Sequence, residues 1–166
     1  GQGIAEKFWI NLFQYGGNLL TQNADGKWTV DYASPAGRQT LKQYLENVHT
    51  LKTVSVEMPA DVAAFERQQT AMFIRESWVI GDIAKKARDL KYATAPLPVG
   101  SIVAPNYVYT SAEGEKAQLV WDYALAINDP ENAVWLLENV GWLPNRKDVD
   151  YSAVIEKTPA LNAFLN

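Results

Sequence analysis

Apolar residues Ile4, Phe8 and Leu12, flanked by Trp9 and Phe13, recur at helical spacing, and Gly16-Gly17 stops the segment as a C-terminal glycine does. The turn sequence Asn23-Ala24-Asp25-Gly26 separates Leu19-Leu20 from the alternating Lys27-Trp28-Thr29-Val30 and predicts a small surface hairpin. Ser34-Pro35 then places a capping hydroxyl before a proline at the first helical position. Behind that cap, Leu41, Tyr44, Leu45, Val48 and Leu51 form one apolar stripe. Pro59 and Asp61 open a short helix bearing Val62 and Phe65.

Ala71-Met72-Phe73-Ile74 is a compact apolar run suited to a buried strand, and it delivers Arg75-Glu76-Ser77-Trp78 to a turn. A helix from about Ser77 to Ala87 follows. A second strand is expected at Tyr92-Ala93-Thr94-Ala95, closed by Pro96-Leu97-Pro98, whose prolines cannot donate to a ladder and mark a boundary or hinge. A third is expected at Asn106-Tyr107-Val108-Tyr109-Thr110. Ser111 precedes a helix in which Ala117, Val120, Trp121, Ala124 and Leu125 face one way. Asp129-Pro130-Glu131 caps the next, which carries Val134, Leu137 and Val140 and stops at Gly141; Trp121 and Trp135 read as buried helix positions. A loop through Pro144 leads to a last amphipathic stretch beginning near Thr158-Pro159, and no internal repeat or low-complexity segment interrupts the pattern.

The chain's 166 residues, 48% of them hydrophobic, suffice for one ordinary domain with a buried core. The net charge of −4 comes from interspersed signs, without the basic footprint that nucleic acid requires. The absence of cysteine excludes thiolate metal sites, disulfides and a cysteine nucleophile, and suits either redox compartment. Gly1 to Lys7 has neither a basic start nor an apolar stretch, so no signal or membrane span is expected within the sequence. A start without methionine, entering a helical pattern at once, suggests a fragment or a processed product.

His49 is the only histidine and falls on the helix expected from Gly37 to Val54, so Ser-His-Asp and multi-histidine metal chemistry lack raw material. It reads as a surface or partly packed side chain. Glu6, Glu57, Glu66 and Glu76 follow no spacing rule that marks a catalytic pair, and most carboxylates read as solvated helix faces. Gly16-Gly17 lacks the dinucleotide-binding spacing. No enzyme activity, cofactor or metal is expected.

The stretch Ala64-Phe65-Glu66-Arg67-Gln68-Gln69-Thr70-Ala71-Met72-Phe73-Ile74-Arg75-Glu76-Ser77-Trp78 resembles an apolar helix, a short polar turn, Ala-Met, an apolar pair and then tryptophan, the signature of family-one extracellular solute-binding proteins, which are maltose-binding-protein-like. Thr94-Ala95-Pro96-Leu97-Pro98-Val99-Gly100 stands where that family has a strand ending in Pro-Leu-Pro, and Gly141-Trp142-Leu143-Pro144-Asn145-Arg146 looks like its Gly-x-Leu-Pro-x-Arg. Trp9 and Gly16-Gly17, before an Asp-Gly turn and a Ser-Pro-capped helix, extend the resemblance over nearly the whole chain.

The resemblance implies a helix-rich α/β fold: the second lobe of a type II periplasmic-binding-protein-like receptor, with a short sheet flanked by helices. Residues 1–100 are expected as the second-lobe core, 101–140 as a hinge or cross-over segment that packs on the first lobe, and 141–166 as a return loop and helix. The first lobe, before the region matching Gly1, and a helical segment after Asn166 are expected to be missing. The function implied is that of the substrate-binding component of an ABC importer, periplasmic or membrane-anchored outside the cytoplasm. It captures a carbohydrate by lobe closure and hands it to the permease subunits. A receptor for another solute such as a polyamine, a carbohydrate-active enzyme with Glu76 as its acid, and an interaction domain without ligand stay open as alternatives.

Sugars present apolar C–H faces flanked by hydroxyls, so their sites pair an aromatic platform with planar polar side chains. Six tryptophans and eight tyrosines give ample supply. Trp78 matches the family tryptophan that stacks on a sugar ring; the alternative is a core tryptophan pinning the following helix. Arg75 and Glu76 reach sugar hydroxyls or form an ordinary surface ion pair. Tyr107 stands where the family has Gly-Gly-Trp or a similar element, and only one of Tyr107 and Tyr109 is expected to face the cleft. Trp9, with Glu6, lies on the helix where related proteins place ligand contacts, although its spacing with Phe13 suits a core role. Trp142 and Arg146 are placed to line the cleft, or Arg146 caps a helix.

Overall fold

Leu12 and Ile10 carry the buried face of α1 (Ile4–Gln14) in the computed structural model, which describes residues 4–165. The side chain of Ile4, counted in the expected face, lies outside the described part, as do Gly1 and Asn166. The helix ends as its sequence predicts: Gly16 takes a φ of 72°, and the Gly17 amide donates back to the Leu12 carbonyl at 3.0 Å. A Cβ on Gly17 would sit 2.4 Å from Leu12 Cδ1 and 2.8 Å from Ala36 Cβ, so only glycine lets the chain pass this closely between α1 and the start of α2.

The hairpin is present as β1 (Leu20–Gln22) and β2 (Trp28–Val30), antiparallel with Leu20 opposite Val30 and Gln22 opposite Trp28, and it lies at the surface. Ser34 caps α2 (Pro35–Leu45) by accepting the Gly37 amide at 3.3 Å, and a π-helical turn over Glu46–Thr50 continues it, with His49 exposed. The expected stripe on α2 is corrected: Leu41, Leu45 and Leu51 are exposed, while Gly37 and Thr40 form the buried side. Thr40 is accommodated there because its hydroxyl donates to the Ala36 carbonyl at 2.9 Å. Asp61 opens α3 (Asp61–Glu66), which buries Val62 and Ala64, and Phe65 meets Phe73 with ring centroids 4.6 Å apart.

The three expected strands after this point are corrected. Among the described residues the sheet is the β1–β2 hairpin alone, and Ala71–Ile74, Tyr92–Ala95 and Asn106–Thr110 are irregular. A strand is held by the ladder it makes with a neighbour, and no neighbouring strand among the described residues pairs with these segments. Met72, expected inside, is 85% exposed.

The chain divides into two units, the first made of residues up to Ile74 with Pro96–Val103, the second of Arg75–Ala95 and the residues from Ala104 onward. Within the first, the Gln14 side chain ties α1 to the Pro-Leu-Pro segment, donating to the Gly100 carbonyl at 2.8 Å and accepting the Val99 amide at 3.2 Å.

The second unit contains α4 (Val79–Lys86), α5 (Gly114–Ile127), α6 (Pro130–Val140), α7 (Ser152–Lys157), a 3-10 turn over Pro159–Leu161 and α8 (Asn162–Leu165). Its core joins Ile80 of α4, Leu137 of α6, Val154 of α7 and Leu161, with Val134, Tyr151 and Phe164 packed around them. Asp129 caps α6 through the Glu131 amide at 3.0 Å, Pro130 follows at the first helical position, and Gly141 ends the helix at φ 75°, all as the sequence predicts. Helix α5 forms where expected but buries no residue, and the reading of Trp121 and Trp135 as buried is corrected: they are 64% and 57% exposed. Periodicity marks which side chains share a helix face; whether anything covers that face is a property of the assembled chain.

Candidate functional site

The turn Arg75-Glu76-Ser77-Trp78 precedes α4 within the second unit. Val79 and Ile80 start the helix by donating to the Glu76 and Ser77 carbonyls, and Val79, Ile80 and Ile83 bury one side of it. Trp78 therefore stands at the head of a helix whose Ile80 belongs to the core. The residue remains 37% exposed. Part of the residue is therefore at the surface.

The Arg75 guanidinium lies over the Trp78 ring with its central carbon 5.1 Å from the centroid, a cation–π geometry, and pairs with the Glu76 carboxylate at 3.4 Å. One face of the indole is thus occupied by the protein's own cation. Glu76 is half exposed and Arg75 much less so. The three expected contacts Arg75, Glu76 and Trp78 form one cluster.

The Gly141–Arg146 loop is pressed against this cluster. The Ser77 hydroxyl, buried, donates to the Gly141 carbonyl at 2.6 Å. A Cβ on Gly141 would come within 3.0 Å of Trp78 Cα and 3.1 Å of the Ser77 carbonyl oxygen, and the positive φ favours glycine there as well. Two motifs 64 residues apart therefore meet backbone to backbone, and the half-exposed Trp142 follows directly.

The remaining candidates make other contacts. Arg146 donates to the Asn128 carbonyl at 2.9 Å, where α5 ends, and forks onto the Asp148 carboxylate; Asn145 donates to the Asn128 side chain at 2.6 Å. The hydrogen bonds to Asp148 hold the Arg146 guanidinium above its ordinary value and the Asp148 carboxyl below its own. These contacts make Arg146 the helix cap that its sequence reading allowed. Tyr107 is well exposed in the irregular segment, with its ring centroid 5.9 Å from that of Tyr109. The two rings lie close together because residues two apart in an extended chain share a face. Trp9 is half buried on α1, in the first unit, and Glu6 is exposed.

The pairing of Ser77 with Gly141 is not legible in the sequence. A glycine ending a helix is legible, but no spacing rule connects it to a serine 64 residues earlier. Among the described residues no group of three or more His, Cys, Asp and Glu side chains is placed to hold a metal ion, and no helix is long and apolar enough to cross a membrane.

Residues 3–163 match the family described as bacterial extracellular solute-binding protein. UgpB from Mycobacterium tuberculosis, solved in complex with glycerophosphocholine, is similar with a TM-score of 0.78 and 19% identity, over 97% of this chain and 42% of that one. An ABC transporter solute-binding protein from Thermotoga lettingae TMO, bound with alpha-D-tagatose, gives a TM-score of 0.65 and 23% identity, over 95% and 41%. The chain spans about two fifths of the length of these structures, and its fold is that of a helix-rich partial lobe of a periplasmic binding protein. No curated protein matches it.

Proposed function

Because this chain belongs to the bacterial extracellular solute-binding proteins, we propose that it supplies one lobe of an ABC-importer receptor and holds a hydroxylated solute, a carbohydrate first of all, against Trp78. The observation that carries this reading is the Arg75–Trp78 turn: a partly exposed tryptophan at a helix start, with one ring face against a guanidinium and a carboxylate paired to that cation. Sugar C–H faces stack on such a ring while hydroxyls take hydrogen bonds from planar side chains.

Glu76, Arg75 and Tyr107 are the proposed polar and aromatic neighbours of that solute, with Trp9 as a further contact and Arg146 acting through the loop it anchors. The small hydroxylated molecules in the two similar structures support the same class of ligand here. Binding without turnover is proposed, since the similar proteins are transport receptors. Capture follows when closure against the other lobe, supplied by a longer protein, adds contacts that favour the closed state and present it to the permease. The exposed faces of α5 and α6 around Trp121 and Trp135 are the proposed seat of that lobe.

The test is a tryptophan fluorescence titration of this chain, and of the longer protein carrying it, with mono- and oligosaccharides, glycerophosphocholine and a polyamine, beside Trp78→Ala. A saturable signal for one hydroxylated solute, weakened roughly tenfold or more by the substitution, is expected. Saturation by the polyamine alone, or silence of the whole panel in both proteins, overturns the proposal.

A further inference from the structure

We infer that Ser77 is a positioning residue for the Trp78 platform, acting through its hydrogen bond to Gly141; the inference rests on Trp78 being the ligand-stacking ring. A serine beside a helix start ordinarily turns its oxygen onto the first free amides of that helix. Here α4 begins with no side-chain cap, and the Ser77 hydroxyl donates instead to the Gly141 carbonyl at 2.6 Å. The buried hydroxyl thus locks the residue before Trp78 onto the end of α6.

Three constraints then converge on one residue. The Gly141 backbone lies close against the Trp78 and Ser77 backbones, near enough that a Cβ would come within 3.0 Å of Trp78 Cα. The next two amides are committed to the first turn of α4. The Arg75 guanidinium sits 5.1 Å from the ring centroid and occupies one indole face. The Ser77 bond is a fourth, made by a buried side chain, so it can be removed without altering the ring's own chemistry. A ring held in one orientation binds without the entropy cost of ordering it at capture.

The experiment uses the whole chain with Ser77→Ala, Ser77→Cys, Trp78→Ala and the Ser77→Ala/Trp78→Ala pair. Subtracting the near-ultraviolet circular dichroism of Trp78→Ala from that of the unsubstituted chain isolates the Trp78 ring without any ligand. Ser77→Ala is expected to erase most of that contribution while the far-ultraviolet spectrum stays unchanged, and Ser77→Cys, which keeps the volume with a weaker donor, to erase part of it. Titration with alpha-D-tagatose and glycerophosphocholine is expected to show binding roughly five- to tenfold weaker in Ser77→Ala, with no further loss when Ser77→Ala is added to Trp78→Ala.

An unchanged Trp78 band in folded Ser77→Ala or Ser77→Cys overturns the inference and leaves the platform reading standing. A loss that persists in the Trp78→Ala background overturns it too, as a general structural role. Undiminished binding by Trp78→Ala removes the platform reading itself, and the site role of Ser77 with it.

Discussion

The Ser77 hydroxyl donates to the Gly141 carbonyl at 2.6 Å, a buried contact between the turn that carries Trp78 and the glycine that ends α6. It explains why the sequence needs glycine at 141 for two reasons at once. The φ of 75° disfavours other residues, and the nearest atoms to an added Cβ are backbone, which cannot swing aside as a side chain would.

Gly141→Ala should therefore destabilise the chain by about 2 kcal/mol, combining the left-handed backbone cost with the forced separation from Ser77 and Trp78. Chemical denaturation measures it, and the same variant should weaken solute binding by displacing the turn. An unchanged midpoint with an unchanged slope would show that the loop moves aside freely.

Leu137 on α6 is almost wholly buried against Ile80, Val154 and Leu161, whereas Leu119 on α5 is exposed. Leu137→Ala should cost about 2–5 kcal/mol, and Leu119→Ala should stay within about 0.5 kcal/mol. Comparable losses for both would mean that the α5 surface is covered in solution.

Tyr151 packs on the same core with its hydroxyl buried and without a hydrogen-bond partner among the described residues, and burial pushes its phenol above the ordinary value. Removing an unsatisfied buried hydroxyl while keeping the ring relieves its desolvation. Tyr151→Phe should leave stability unchanged or raise it by about 1 kcal/mol in thermal denaturation. A clear loss would reveal a partner for that oxygen.

The Arg146 fork holds the Asp148 carboxyl below its ordinary value of 3.8. The folded chain keeps this carboxylate ionised at pH values where the unfolded chain takes up a proton. Its contribution is complete above that ordinary value and fades as pH falls through the lower folded value. Melting curves across the acid range should be flatter for Asp148→Asn than for the unsubstituted chain. Asp150, lowered by its bonds to Ser152, keeps part of the dependence in both. Identical acid limbs would show that the Arg146 pair has no linkage to folding.

The sequence by itself determined the local signals. Ser34-Pro35, Asp129-Pro130, Gly16 and Gly141 mark helix ends because capping and left-handed backbone are decided by a few neighbouring atoms. Asn23 to Gly26 set the hairpin for the same reason, and the ordered motifs around Trp78, Pro96 and Gly141 point to the family that residues 3–163 match. Only the tertiary structure decided what those elements meet. Ala71–Ile74 and Asn106–Thr110 have strand-like composition but no partner strand among the described residues, and Trp121 and Trp135 lie on helix faces that no described residue buries. Pairing and burial depend on residues distant in sequence, so a local pattern states what a segment is able to offer, and the Ser77–Gly141 contact states what the folded chain accepts.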